Sequence, residues 1–166
     1  MEKIDRYLQS PEFLDLADRF LYQKALENVE HYFKRILDLQ ISKPIKKNQV
    51  KGLQITSNEK SFSQLYSMAK NQLEKARLRL KDPDLEESRD TIFWSMVCEL
   101  IDNNKKGAFA LKEQVKEILE TQGLGDGTKK EKKVATEKLR SELTTIFFEH
   151  FCCHYYYLSN KPINPV

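Results

Sequence analysis

Residues 59–81, EKSFSQLYSMAKNQLEKARLRLK, place Phe62, Leu65, Ala69, Leu73, Ala76 and Leu80 at steps of three and four, the spacing of one face of an α-helix. Lys70, Arg77 and Lys81 fall on another face, and Lys75 and Arg79 add to its charge. The stretch predicts an amphipathic helix, with an apolar stripe toward a core and a cationic surface toward solvent. Solubility accounts for such a surface as readily as a ligand does. The neighbouring segment gives the functional reading its weight, because strand holding is expected if the two converge into one basic surface and a helical adaptor if they are scattered.

That segment, ISKPIKKNQVKGLQITS (41–57), carries Lys43, Lys46, Lys47 and Lys51 without one acid. Pro44 and Gly52 permit turns, and Ile45, Val50, Leu53 and Ile55 permit a short extended stretch, so it reads as a basic linker ordered by a partner or mobile. Residues 41–81 hold ten Lys/Arg against Glu59 and Glu74, a net charge of +8. Residues 82–128 hold five basic and eleven acidic side chains, a net charge of −6. The whole chain is only +3, so its total charge conceals a strongly basic segment able to attract a polyanion.

Upstream, Ser10–Pro11–Glu12 supplies a helix start, with Ser10 as cap and Pro11 at the first helical position. A helix is expected from about residue 12 to 40. Leu26, Val29, Phe33 and Ile36 recur along it, offset from an earlier set of Phe13, Leu16 and Phe20, and the drift predicts a bend or several neighbours. Pro44 stops further continuation. Downstream, Asp82–Pro83–Asp84 breaks the chain before a helix reaching about residue 103. Its broad apolar face (Ile92, Phe93, Met96, Val97, Leu100, Ile101) makes it the expected central core helix, with Trp94 at the edge as a core or partner contact. Ala108, Leu111, Val115, Ile118 and Leu119 mark a fourth helix, and 131–158 a fifth, FFEHFCCHYYYL being apolar enough to suggest docking to a partner or another copy. The expectation is an all-α fold: a single compact domain over 1–166, with about five helices and a basic loop after the first. Residues 123–130 read as a flexible Gly/Lys loop and 159–166 as a short tail.

Chemistry-bearing motifs are sparse. Gly123, Gly125 and Gly127 lack the Rossmann spacing, and no Gly-Lys-Ser/Thr completes a P-loop. His150 and His154 share a helix face near Glu149, Cys152 and Cys153, donors that suit zinc, but neither H-E-x-x-H nor a paired C-x-x-C accompanies them. A Cys–His nucleophile lacks an identifiable orienter or oxyanion hole, and His31 lies on the first helix. The expectation is therefore no enzyme, no metal and no cofactor. Three cysteines make no disulfide framework, MEKIDRYLQS lacks a signal-peptide plan, and no run nears the length of a membrane span, so a cytoplasmic protein is expected. No zinc finger, RNP pair or helix-turn-helix signature appears, so any contact with nucleic acid would go to phosphates rather than base edges.

The basic helix KNQLEKARLRLK (70–81) and the aromatic LRSELTTIFFEHFCCHYYYL (139–158), in a chain of this length, resemble the small helical (belly) subunits of CRISPR Cascade-like surveillance complexes. The resemblance is regional and spans 12–158. It implies a non-catalytic subunit of an RNA-guided antiviral assembly, present in several copies beside the backbone and large subunits. Such a subunit would hold guide RNA, target or displaced strands by phosphate contacts. On that analogy Lys70, Lys75, Arg77, Arg79 and Lys81 are phosphate contacts, and Lys43, Lys46, Lys47 and Lys51 form a mobile positive arm. Lys129 and Lys130 open a second basic cluster. Phe148, Tyr155, Tyr156 and Trp94 are assembly contacts, with burial in the chain's own core as the other reading. A protein-only helical adaptor is the principal alternative, and a metal- or thiol-dependent enzyme the lesser one.

Overall fold

A computed structural model of the chain describes residues 2–59, 61–80, 87–103, 105 and 107–160, and every regular element among them is helical. After α1 (Lys3–Leu8), Ser10 Oγ accepts a hydrogen bond from Phe13 N at 3.2 Å and Pro11 takes the first turn of α2 (Pro11–Asp15), the cap expected from sequence. A π segment, Leu16–Leu21, joins α2 to α3 (Tyr22–Asp38) in one continuous rod. The π segment explains the drift. Buried Phe13, Ala17, Leu21, Ala25 and Val29 follow at steps of four, which would walk around an α-helix; one widened turn brings them back to one side. The interior thus receives Ala17 and Ala25, while Phe20 stays partly in solvent.

The rod ends at Gln40, which takes a left-handed φ of 57°, with Gln40 N bonded to Leu37 O and Ile41 N to Ile36 O, both at 3.0 Å. This paired closure stops the helix ahead of Pro44. The expected basic linker over 41–57 is largely a helix, α4 (Lys47–Glu59), that buries Val50, Leu53 and Ser57. Only 41–46 is loop, and it is tied down: Ile45 is buried, its N–H donates to Tyr32 Oη at 3.0 Å, and its carbonyl accepts from Tyr155 Oη. Tyr32 Oη in turn donates to Arg89 O at 3.0 Å, and Arg89 Nη1 reaches Pro44 O at 3.2 Å.

Helix α5 (Phe62–Leu78) opens with a capping box between Ser61 and Gln64 and buries Leu65, Ala69, Leu73 and Ala76, the expected stripe. A second capping box, Ser88 with Thr91, opens α6 (Arg89–Ile101). Helix α7 (Leu111–Thr121) closes at Gly123, whose φ of 65° reverses the chain after Leu119. Helix α8 (Lys129–Asn160) then runs 32 residues, about 48 Å.

The central helix is α8 rather than α6. It packs on α1, the π segment, α3, α4, α5 and α7, and threads Leu139, Leu143, Phe147, Phe148, Phe151 and Tyr155 through the core. Phe147, Phe148 and Phe151 meet edge-on or tilted at 5.1–6.2 Å between centroids, and Phe93 of α6 joins them through Phe151. Each such ring withdraws about 1.5–3 kcal/mol worth of apolar surface from water. The architecture is an all-α multi-helix bundle, with α1 and α4 beyond the five helices expected and the π segment interrupting the first of those five. No helix among the described residues is long and apolar enough to cross a membrane.

Candidate nucleic-acid interface

Helix α4 lies antiparallel on the C-terminal half of α8 and is bonded to it along its length. Tyr155 Oη reaches Ile45 O at the start, Cys152 Sγ donates to Val50 O at 3.7 Å, and Thr145 Oγ1 donates to Ser57 O at 3.2 Å near the end. Trp94 Nε1 donates to Gln49 Oε1 at 3.1 Å from α6. With its inner face held, α4 turns Lys47, Asn48 and Lys51 outward. With Gln54 and the half-buried Tyr156, they line a shallow cleft of about 530 Å³ to which none of the described residues contributes a carboxylate. Lys47 Nζ donates to Asn160 Oδ1 at 2.6 Å, which orients the ammonium without neutralising it. Lys43 and Lys46 stand exposed in the loop beside it.

Lys70, Lys75, Arg77 and Arg79 are exposed on or just beyond α5. They do not all share one surface. Arg77 opens onto a groove of about 620 Å³ between α3, α5 and α6, whose walls also hold Glu27, Glu87 and Glu99. Lys75 lies along a shallow furrow with Ser67 and Asn71. Lys70 Nζ sits over the Tyr66 ring at 4.8 Å from its centroid, a cation–π contact that leaves the charge on the surface. Lys81 lies outside the described residues.

Lys129 and Lys130 are exposed at the first turn of α8, Lys130 in a cleft shared with Glu2, Asp126 and Glu131. Because Lys47 touches Asn160 at the far end of the same helix, this cluster and the α4 cleft are about 46 Å apart. The basic residues therefore form separate patches rather than one surface.

Ion pairs involve few of the described cations. Every described ion pair uses Arg19, Lys24, Arg35, Arg89, Lys112 or Lys138. Among the described residues from 41 to 80, no cation meets a carboxylate within 4.0 Å.

The aromatic residues expected at assembly contacts are mostly interior. Trp94, Phe148 and Tyr155 are buried in the chain's own core, where ring packing and the Gln49 and Ile45 bonds use them fully, so they present no face to a partner. Tyr156 alone of the four reaches the surface, in the α4 cleft. Burial is the first cause that raises its hydroxyl above the ordinary tyrosine range, so the ring is neutral at physiological pH.

His150 and His154 have structural surroundings. The Ala17 carbonyl, in the π segment, accepts from His150 Nε2 at 2.9 Å, which assigns the proton to that nitrogen. His154 is buried against Tyr22, ring centroids 4.5 Å apart, and burial first of all lowers its pKa. Burial pushes Cys152 up to about 12 and Cys98 up to about 11, far from the thiolate that nucleophilic attack requires. No group of three or more His, Cys, Asp and Glu arranged to hold a metal occurs among the described residues. His31 is exposed at the rim of the α3–α5–α6 groove.

Sequence reasoning missed Asn48, Gln54 and Asn160 as parts of a site. Reading 47–59 as a helix would have placed Lys47, Lys51 and Gln54 on neighbouring turns. Comparisons with protein-family models, curated proteins and solved structures found no match.

Proposed function

We propose that this chain is a non-catalytic helical subunit that holds a nucleic-acid strand through phosphate contacts. The observation that carries the reading is that none of the cations described between residues 41 and 80 meets a carboxylate, within a stretch, 41–81, of net charge +8. Helix stability does not account for all of them. Lys75 and Arg77 sit in the last turn of α5, where the helix dipole favours cations, but Lys47 opens α4 and Lys129 and Lys130 open α8, the ends at which it disfavours them. Separate patches suit a long polyanion better than a compact ligand, because a strand passes from one to the next and releases counterions at each.

The RNA-guided antiviral setting, with backbone and large subunits and further copies of this chain as partners, rests on the resemblance at 70–81 and 139–158. Copurification from the native host, with identification of bound proteins and nucleic acid, tests that setting. Reversing Lys75, Arg77 and Arg79 to Glu tests strand holding: salt-sensitive binding should be lost while the fold and assembly remain. Assembly lost with strand binding intact would instead favour a protein-only adaptor. That second reading draws on Leu78, 86% exposed among the cations of α5.

A further inference from the structure

The cleft between α4 and α8 differs from the other basic patches in two respects. Its described lining joins two lysines to an aromatic ring without the acids that share the Arg77 groove, and its walls are bonded to the core. Tyr156 follows Tyr155, whose hydroxyl is fixed on Ile45 O, and its own carbonyl accepts from Ser159 Oγ at 3.0 Å. Facing it, α4 is held by the Cys152–Val50 and Trp94–Gln49 bonds, so the backbone that carries the lysines is fixed against the helix that carries Tyr156 before any ligand arrives. Lys47 and Lys51 are one helical turn apart, about 5–6 Å, close to the separation of neighbouring phosphates along a strand. Asn48 and Gln54 bring amides, each able both to donate and to accept, to the same cleft.

We propose that this cleft takes one unstacked nucleotide of a single-stranded nucleic acid, with the base against Tyr156 and the flanking phosphates on Lys47 and Lys51. The inference rests on the strand-holding reading and narrows it to single strands. Several features of the cleft select this occupant. Ammonium groups with no acid beside them among the described residues call for an anion, and the positive end of the α4 dipole adds to their field. The ring calls for a flat apolar face carried by that anion. Bases in a duplex are stacked on each other and offer no free face to a ring, whereas a splayed base does. The amides meet base edges of any identity, so stacking here is tolerant of sequence.

The test uses the full chain and three labelled probes: a homopyrimidine strand, the same strand built of abasic sugars, and a duplex of equal length. Tyr156→Leu keeps apolar bulk and removes the ring face. It should weaken the base-bearing strand roughly five- to a hundredfold and leave the abasic strand unchanged. Tyr156→Phe should bind as the parent does. Tyr156→Trp provides a second readout, since the only native tryptophan, Trp94, is buried. Its emission should be quenched by the base-bearing strand and not by the abasic one. The inference is overturned if Tyr156→Leu binds every probe like the parent, if it loses base-bearing and abasic strands equally, or if the introduced tryptophan ignores a saturating strand. In the first and third cases, salt-sensitive strand binding by the parent would leave phosphate holding intact. A parent chain that binds none of the probes removes both readings.

Discussion

Between residues 41 and 80 the described cations face solvent without a carboxylate, whereas from 87 to 102 three carboxylates each meet a cation. Glu87 takes Arg35 at 2.6 Å, Asp90 takes Arg89 at 3.6 Å, and Asp102 takes Lys112 at 3.4 Å. Two of these pairs cross between elements, Glu87 to α3 and Asp102 to α7, while Arg89 and Asp90 are neighbours on α6. The basic stretch obtains its attachment from apolar side chains and hydroxyl–carbonyl bonds instead, and its charge stays available. A segment with net charge but internal pairs carries little information about partners; one with the same charge and no pairs carries much more.

The comparison depends first on the core that positions both regions. Phe151→Ala should cost about 3–5 kcal/mol, measured by denaturant unfolding, because the neighbouring rings cannot collapse into the space. A loss below about 1 kcal/mol would mean that α8 is not the spine. Next comes the charge asymmetry itself. Glu at 75, 77 and 79 should lower affinity for a single strand by about tenfold or more at about 50 mM salt and flatten the salt dependence, read by fluorescence anisotropy. Gln at 113, 117 and 120 on α7 should leave binding unchanged or slightly stronger. Equal losses in the two sets would erase the distinction between the regions.

The anchoring of α4 sharpens it further. Tyr155→Phe strands the buried Ile45 carbonyl and should cost about 1–3 kcal/mol. Hydrogen exchange should rise at 41–50 and stay constant in α5. The exposed Arg35–Glu87 pair gives a smaller effect: Glu87→Ala should change stability by about 0.2–1 kcal/mol, less in high salt. The pH dependence turns on His154. Its folded pKa lies below the ordinary value near 6.5, so folding favours the neutral form. Stability is full above that value and declines as pH falls through it toward the folded pKa, and His154→Gln should flatten the decline in thermal midpoint.

Legibility followed locality. The α5 stripe and the Ser10–Pro11 start could be read because each depends on residues within a turn or two of one another. Helix α4 could not. Its buried residues, Val50, Leu53 and Ser57, are few, one is polar, and Ile55 beside them is exposed, so the apolar pattern resembled an extended linker. What makes 47–59 a fixed helix is α8, about a hundred residues away, through Thr145, Cys152 and Tyr155. The same distance hid the π segment, whose widened turn is registered by Ala17 O on His150. Of the candidate site, the lysines were legible as residues; their lack of acidic partners was not.

The chain's own pattern of apolar spacing and charge determined that it would be helical, amphipathic and locally basic, since those properties arise from neighbours within a few positions. Which aromatic rings are interior, which cations are left without a carboxylate, and that Tyr156 faces Lys47 and Lys51 were decided only by packing. Each depends on two segments far apart in sequence reaching the same few ångströms, and side-chain order along the chain does not encode that meeting until α8 brings them together.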